Sequence, residues 1–191
     1  EGTLDFKRTL ELFLTNEVIQ SCWAKLISKK CIGKIRLNEK IKRGQDEEFI
    51  IRLLLNSGKS QFIRLSGYHY KIRKDGATNA EFNPKVFDIN SMTNLVREEV
   101  LTKYPNFKKA TATYVSNGLW LMLVQYKKSS ISTKNYEAKF QNIVVNNFQY
   151  VLSSGIPVRQ KIILLLLRIL GAEKIKKIYH YYKIIYGWVE L

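Results

Sequence analysis

Three short strings in this sequence gather side chains able to do chemistry. The first is Arg43-Gly44-Gln45-Asp46-Glu47-Glu48-Phe49, a glycine turn that delivers an aspartate to the mouth of a helix. A carboxylate there either caps free backbone N–H groups or faces a cleft as a general base, with Glu47 and Glu48 complementing the helix dipole. The second is Tyr68-His69-Tyr70-Lys71-Ile72-Arg73-Lys74. Alternation puts Tyr68, Tyr70 and Ile72 on one side and His69, Lys71 and Arg73 on the other. A row of cations on a strand end suits the oxygens of a diphosphate, and it equally suits a solvated strand face. The third is Cys22-Trp23-Ala24-Lys25-Leu26. On a strand, Trp23 and Lys25 share a side, as in a sugar or nucleotide pocket or as a core Trp beside a Lys that keeps its amine in water.

Other chemistries lack their residues. There is no Gly-rich phosphate loop, no Cys-x-x-Cys and no His-Glu-x-x-His. His69 and His180 lie in different parts of the chain, which argues against a zinc site. The four aspartates, Asp5, Asp46, Asp75 and Asp88, form no Asp-x-Asp.

The elements that must position these strings divide the chain near residue 84. Residues 1–84 read as α/β. Thr3 is predicted to cap a helix reaching Asn16, and Gln20 to Ile27 fits a strand or a turn of helix. Ile32 to Leu37 alternates like a half-buried strand, and Asn38 to Gly44 reads as a loop. A helix runs from Asp46 toward Gly58. Ser60 to Arg73 is predicted as a strand or a bent pair, followed by a loop with the turn Asp75-Gly76. Residues 85–191 read as helices only: Val86 to Lys103, Phe107 to Lys127, Tyr136 to Leu152, Val158 to Leu170 and Ala172 to Tyr186. The expected class is α+β or α/β, with an all-helical C-terminal region.

With 191 residues, 46% apolar and 25% charged, the chain can bury a core without disulfides. Two cysteines point to a reducing compartment. The net charge of +16 is the dominant number and should attract polyanions, whether nucleic acid, acidic lipid or phosphorylated small molecules. The apolar stretch from Ile162 to Leu167 is far short of the ~20 residues that span a bilayer. The chain opens Glu1-Gly2-Thr3 without Met, so it is expected to be a processed product, an excised domain or an incomplete reading of a longer protein.

Taken in order, Trp23-Ala24-Lys25-Leu26, Ile35-Arg36-Leu37, Gly44-Gln45-Asp46-Glu47-Glu48-Phe49, Leu53-Leu54-Leu55 and Tyr68-His69-Tyr70-Lys71-Ile72-Arg73 resemble the second half of the bacterial family-two glycosyltransferases, the inverting GT-A type. The resemblance covers residues 18–110. It implies that the N-terminal portion is the end of a GT-A-like catalytic domain that moves a hexose from a nucleotide-sugar to a hydroxyl of a saccharide or lipid-linked acceptor, in cell-surface polysaccharide synthesis. Asp46 would be the base. Trp23, Lys25, Gly44, Gln45 and Tyr70 would line the substrate pocket, and Lys71 and Arg73 would grip the donor diphosphate. A magnesium or manganese ion is implied for the full-length enzyme, on an Asp-x-Asp in a nucleotide-binding half that these residues lack. This chain alone would then be inactive. Three positions depart from the family pattern: Gln45 stands for the usual Glu, Lys71 for the usual Arg, and Thr78 sits near the usual Ser.

The tail, Ile156 to Leu191, has seven basic and two acidic residues and ends near Trp188. It suits either an anionic bilayer surface or packing on its own domain. A cytoplasmic protein, peripheral at the inner face of the plasma membrane, is the matching location. The competing class is a non-catalytic basic module for membrane or nucleic acid, though no nucleic-acid motif supports the latter.

Overall fold

The computed structural model describes residues 2–56, 59–63, 65, 67–71, 82–128 and 133–186. Arg73, Thr78, Trp188 and the Asp75-Gly76 turn lie outside the described residues. The described chain is mostly helical, with one small antiparallel sheet.

Strand β1 (Gly2–Asp5) pairs with β2 (Lys59–Phe62), Gly2 opposite Phe62 and Asp5 opposite Lys59. This pairing overrides the predicted cap at Thr3. The first helix, α1 (Phe6–Leu14), is capped instead by Asp5, whose carboxylate accepts the Arg8 N–H at 2.8 Å. Its buried face carries Thr9, Leu10, Phe13 and Leu14. Such a cap is worth about 1 kcal/mol.

Ile32 to Leu37 is not a strand, since an alternating pattern forms one only beside a partner. Ser28 caps a single turn, α2 (Lys29–Ile32), by accepting the Cys31 N–H. The segment that follows is fastened to α3 (Gln45–Asn56): Arg52 donates to the Arg36 carbonyl at 2.6 Å. Gln20 to Ile27 is irregular as well. Ala24 takes φ 58°, a left-handed conformation that no strand contains. Among the described residues of the predicted Ser60 to Arg73 element, only those of β2 are ladder-paired, and residues 67–71 lie outside regular structure.

Beyond residue 82 the helical expectations hold closely. A 3-10 turn (Pro84–Phe87) leads into α4 (Asp88–Lys103), and a second one (Pro105–Phe107) into α5 (Lys108–Lys128). Then come α6 (Lys134–Ser153), α7 (Val158–Leu170) and α8 (Ala172–Tyr186). Pro105, Pro157 and Gly171 set the breaks, because Pro disfavours helix in the residue before it. Helix α5 is central, packing against α1, α4, α6, α7 and α8. Gly118 permits the close approach of α4, since a Cβ there would lie 2.8 Å from Thr93 Cγ2 and 3.1 Å from Ile89 Cγ2. One cluster of buried apolar side chains runs from Leu10 and Phe13 through Ile51, Val96 and Leu123 to Leu164 and Ile175.

Candidate functional site

Asp46 sits in the first turn of α3, directly behind Gly44, whose φ of 83° bends the loop into the helix. The Gly44 carbonyl accepts the Glu48 N–H at 3.1 Å, closing the first helical turn. The Asp46 carboxylate reaches across to a different segment, where Oδ2 accepts the backbone N–H of Cys22 at 3.1 Å. Burial, and then the Asp46 carboxylate beside it, push the Cys22 thiol above its ordinary value. Asp46 thus serves as a tertiary clasp between the 20s loop and α3.

Lys25 closes the same loop on itself. Its Nζ donates to the Ile19 carbonyl at 2.5 Å and the Ser21 carbonyl at 2.6 Å. Burial pulls the Lys25 ammonium below its ordinary value, while Cys22 and Asp46, close enough to be felt, oppose that. Beside them the Trp23 ring stacks on Tyr68 and on Tyr70, each with ring centroids 5.1 Å apart, at interplanar angles of 18° and 27°. Such pairs add about 0.5–1.5 kcal/mol beyond area burial. Tyr68 and Tyr70 therefore do share a side, although their segment is not in a sheet.

Of the eight residues singled out in the sequence, Asp46, Trp23, Lys25 and Tyr70 are held by these contacts. Gly44 and Gln45 are the adjoining turn, and Lys71 follows Tyr70 with its side chain exposed. Arg73 lies outside the described residues. Asp46 and Trp23 are half-buried, whereas Gln45, Tyr70 and Lys71 face solvent. The arrangement is a half-buried carboxylate bonded to Cys22, the residue next to Trp23 and its stack with Tyr68 and Tyr70. A carboxylate is the kind of group that takes a proton from a hydroxyl, and stacked rings are the kind of surface a sugar lies on.

The two acids after Asp46 do more than complement the helix dipole. Glu47 accepts the hydroxyl of the buried Tyr114 at 2.7 Å, and that hydroxyl also lies 3.1 Å from Met92 Sδ. Burial raises the Glu47 carboxyl above the usual range; the Tyr114 hydrogen bond opposes this, Asp46 adds to it, and Arg43 opposes it. Burial, with Glu47 beside it, pushes the Tyr114 phenol well above its ordinary value. Glu48, only 2% exposed, takes both Nε and NH2 of Arg52, at 2.6 and 2.8 Å. The spacing from Glu48 to Arg52, one helical turn, was the readable sign of that pair. Nothing local marks Tyr114 as the partner of Glu47.

A surface cleft of about 380 Å³ lies elsewhere, between α1 and the start of α5, lined by Asp5, Arg8, Glu11, Asn106, Phe107 and Lys109 among others. Its Arg8 is already paired with Glu11 at 2.8 Å, and it includes none of the residues above. Among the described residues, no three His, Cys, Asp or Glu side chains gather closely enough to hold a metal ion. No helix among them is long and apolar enough to cross a membrane. Comparison with protein-family models, curated proteins and solved structures finds no match.

Proposed function

We propose that this chain carries the acceptor-side half of an inverting glycosyltransferase, one that moves a hexosyl group from a nucleotide-sugar to a hydroxyl acceptor in surface-polysaccharide assembly. One observation carries the reading. Strings 24 to 47 residues apart in sequence meet in space: Asp46 hydrogen-bonds to Cys22, and Trp23 stacks on Tyr68 and Tyr70.

In this reading the acceptor sugar lies on the aromatic ledge, its apolar face against a ring. Asp46 takes the proton from the attacking hydroxyl as the oxygen closes on the anomeric carbon, and the nucleoside diphosphate leaves from the opposite face. A single carboxylate behind the nucleophile meets the needs of that displacement. Lys71 and Arg73 neutralise the departing diphosphate. A magnesium or manganese ion on the nucleotide would have to be held by residues outside these 191, where it would neutralise the diphosphate. Gln45 holds no charge, and Glu47 and Glu48 are engaged with Tyr114 and Arg52, which leaves Asp46 as the base in this turn.

The test is turnover of sugar nucleotides by the protein encoded by the complete reading frame. Release of nucleoside diphosphate is expected from at least one member of a uridine, guanosine and thymidine diphosphate-sugar panel, with an acceptor glycan or glycolipid present. The reading frame should also carry an Asp-x-Asp within the ~100 residues before Glu1, about one domain's length. A frame without that motif, whose product cleaves no sugar nucleotide, would overturn the proposal.

A further inference from the structure

Helix α7 is apolar on the wrong side for a packing element. Leu164 and Leu167 are buried, yet Val158 is 72% exposed, Ile162 53%, Leu165 40% and Ile169 65%. These four recur at spacings of four, three and four, which at about 100° per residue puts them in one stripe along the solvent side. Leu166, 39% exposed, widens it.

Cations stand along both margins of the stripe. Arg159 falls on one edge, Lys161 and Arg168 on the other. The last two are held in place. Lys161 Nζ donates to the Leu152 and Ser154 carbonyls at the end of α6, and the Arg168 guanidinium lies 4.6 Å over the Phe148 ring. The next helix continues the theme with exposed Lys174, Lys177, Ile178 and Tyr181.

We propose that the exposed face of α7 is a docking surface for an anionic lipid bilayer, lying in the interface with its aliphatic stripe among the acyl chains and its cations at headgroup level. Charge complementarity chooses this occupant. A stripe edged with cations, on a chain of net charge +16, matches an acidic surface. Against a second copy of itself it would set cations beside cations. One 13-residue helix is also only about 20 Å long, too small for the ~800 Å² per partner of a stable protein interface. The proposal stands apart from the transferase reading, since it rests on α7 alone.

The experiment is co-sedimentation of the full chain with vesicles of phosphatidylcholine, with and without 30% phosphatidylglycerol, alongside sedimentation equilibrium without lipid. Binding is expected to the acidic vesicles only, and to weaken steeply between 50 and 500 mM salt. Ile162→Gln with Ile169→Gln should cut partitioning tenfold or more. Arg159→Gln should cut it by about fivefold. Both variants should keep the wild-type circular dichroism, because the altered side chains are exposed. Failure to bind acidic vesicles at low salt would overturn the proposal. So would binding that the double variant leaves unchanged, or a chain that dimerises through this face and loses the dimer in the double variant.

Discussion

Asp46 commits one carboxylate oxygen to the Cys22 backbone N–H, so the clasp that positions it survives any substitution that keeps an acceptor there. Its neighbour Glu47 is different, because burial favours the neutral form of its carboxyl. A native value raised above the unfolded one means that the folded chain binds more protons between the two. Stability contributed by Glu47 is then fully present below the ordinary carboxylate range and is lost as pH rises through the raised value. Glu99 carries the same sign, raised first by burial and then by Glu48, and its Oε2 is buried without a hydrogen-bond partner. Glu47→Gln removes the penalty while leaving an oxygen to accept the Tyr114 hydroxyl. Relative to wild type, the melting temperature of this variant should therefore improve from pH 4 to pH 7.5. A difference that stays flat across that interval would contradict the account of Glu47.

At the scale of elements, the turn into α3 depends on Gly44. Any side chain there meets a left-handed backbone, φ 83°, and its Cβ would stand 2.5 Å from Met92 Cε. The methionine end can swing aside, but the backbone cost remains. Gly44→Ala should lose about 1–2 kcal/mol, read as a lower urea midpoint with unchanged slope. An unshifted midpoint would mean that the turn tolerates a side chain. The helices from α4 to α8 were legible in the sequence because they are long runs rich in apolar residues, and Pro105, Pro157 and Gly171 mark most of the breaks between them. The N-terminal portion was not, because β1 finds its partner at Lys59–Phe62 and neither strand can be judged alone. Alternation in Ile32 to Leu37 signalled a strand, yet the segment folded as a capped turn pinned by Arg52. At the site, the side chains were legible and their meeting was not. The Trp23 stack joins residues 45 and 47 apart, and the Glu47 to Tyr114 bond spans 67.

Across the whole molecule, the long central helix α5 ties the two ends of the chain together. Tyr114 reaches Glu47 on α3, and Tyr126 donates its hydroxyl to Glu173 on α8, with the Thr133 carbonyl 3.1 Å from the same oxygen. The candidate site is thus braced from beneath by the helical region, while α7 carries its aliphatic stripe on the outside. Under the two proposals this layout would separate two jobs: an acceptor site where α3 meets the 20s loop, and a surface that would hold it near a lipid-linked acceptor. The central claim, that Asp46 is the base of a sugar transfer, meets its most direct test in the protein from the complete reading frame, by comparing wild type with Asp46→Asn. Asparagine keeps an oxygen for the Cys22 N–H, so the clasp, the melting temperature and the donor dissociation constant should stay close to wild type. The turnover number should fall ~10²-fold or more, the scale of a lost general base. Turnover within a few-fold of wild type would contradict the claim and leave Asp46 as a clasp alone.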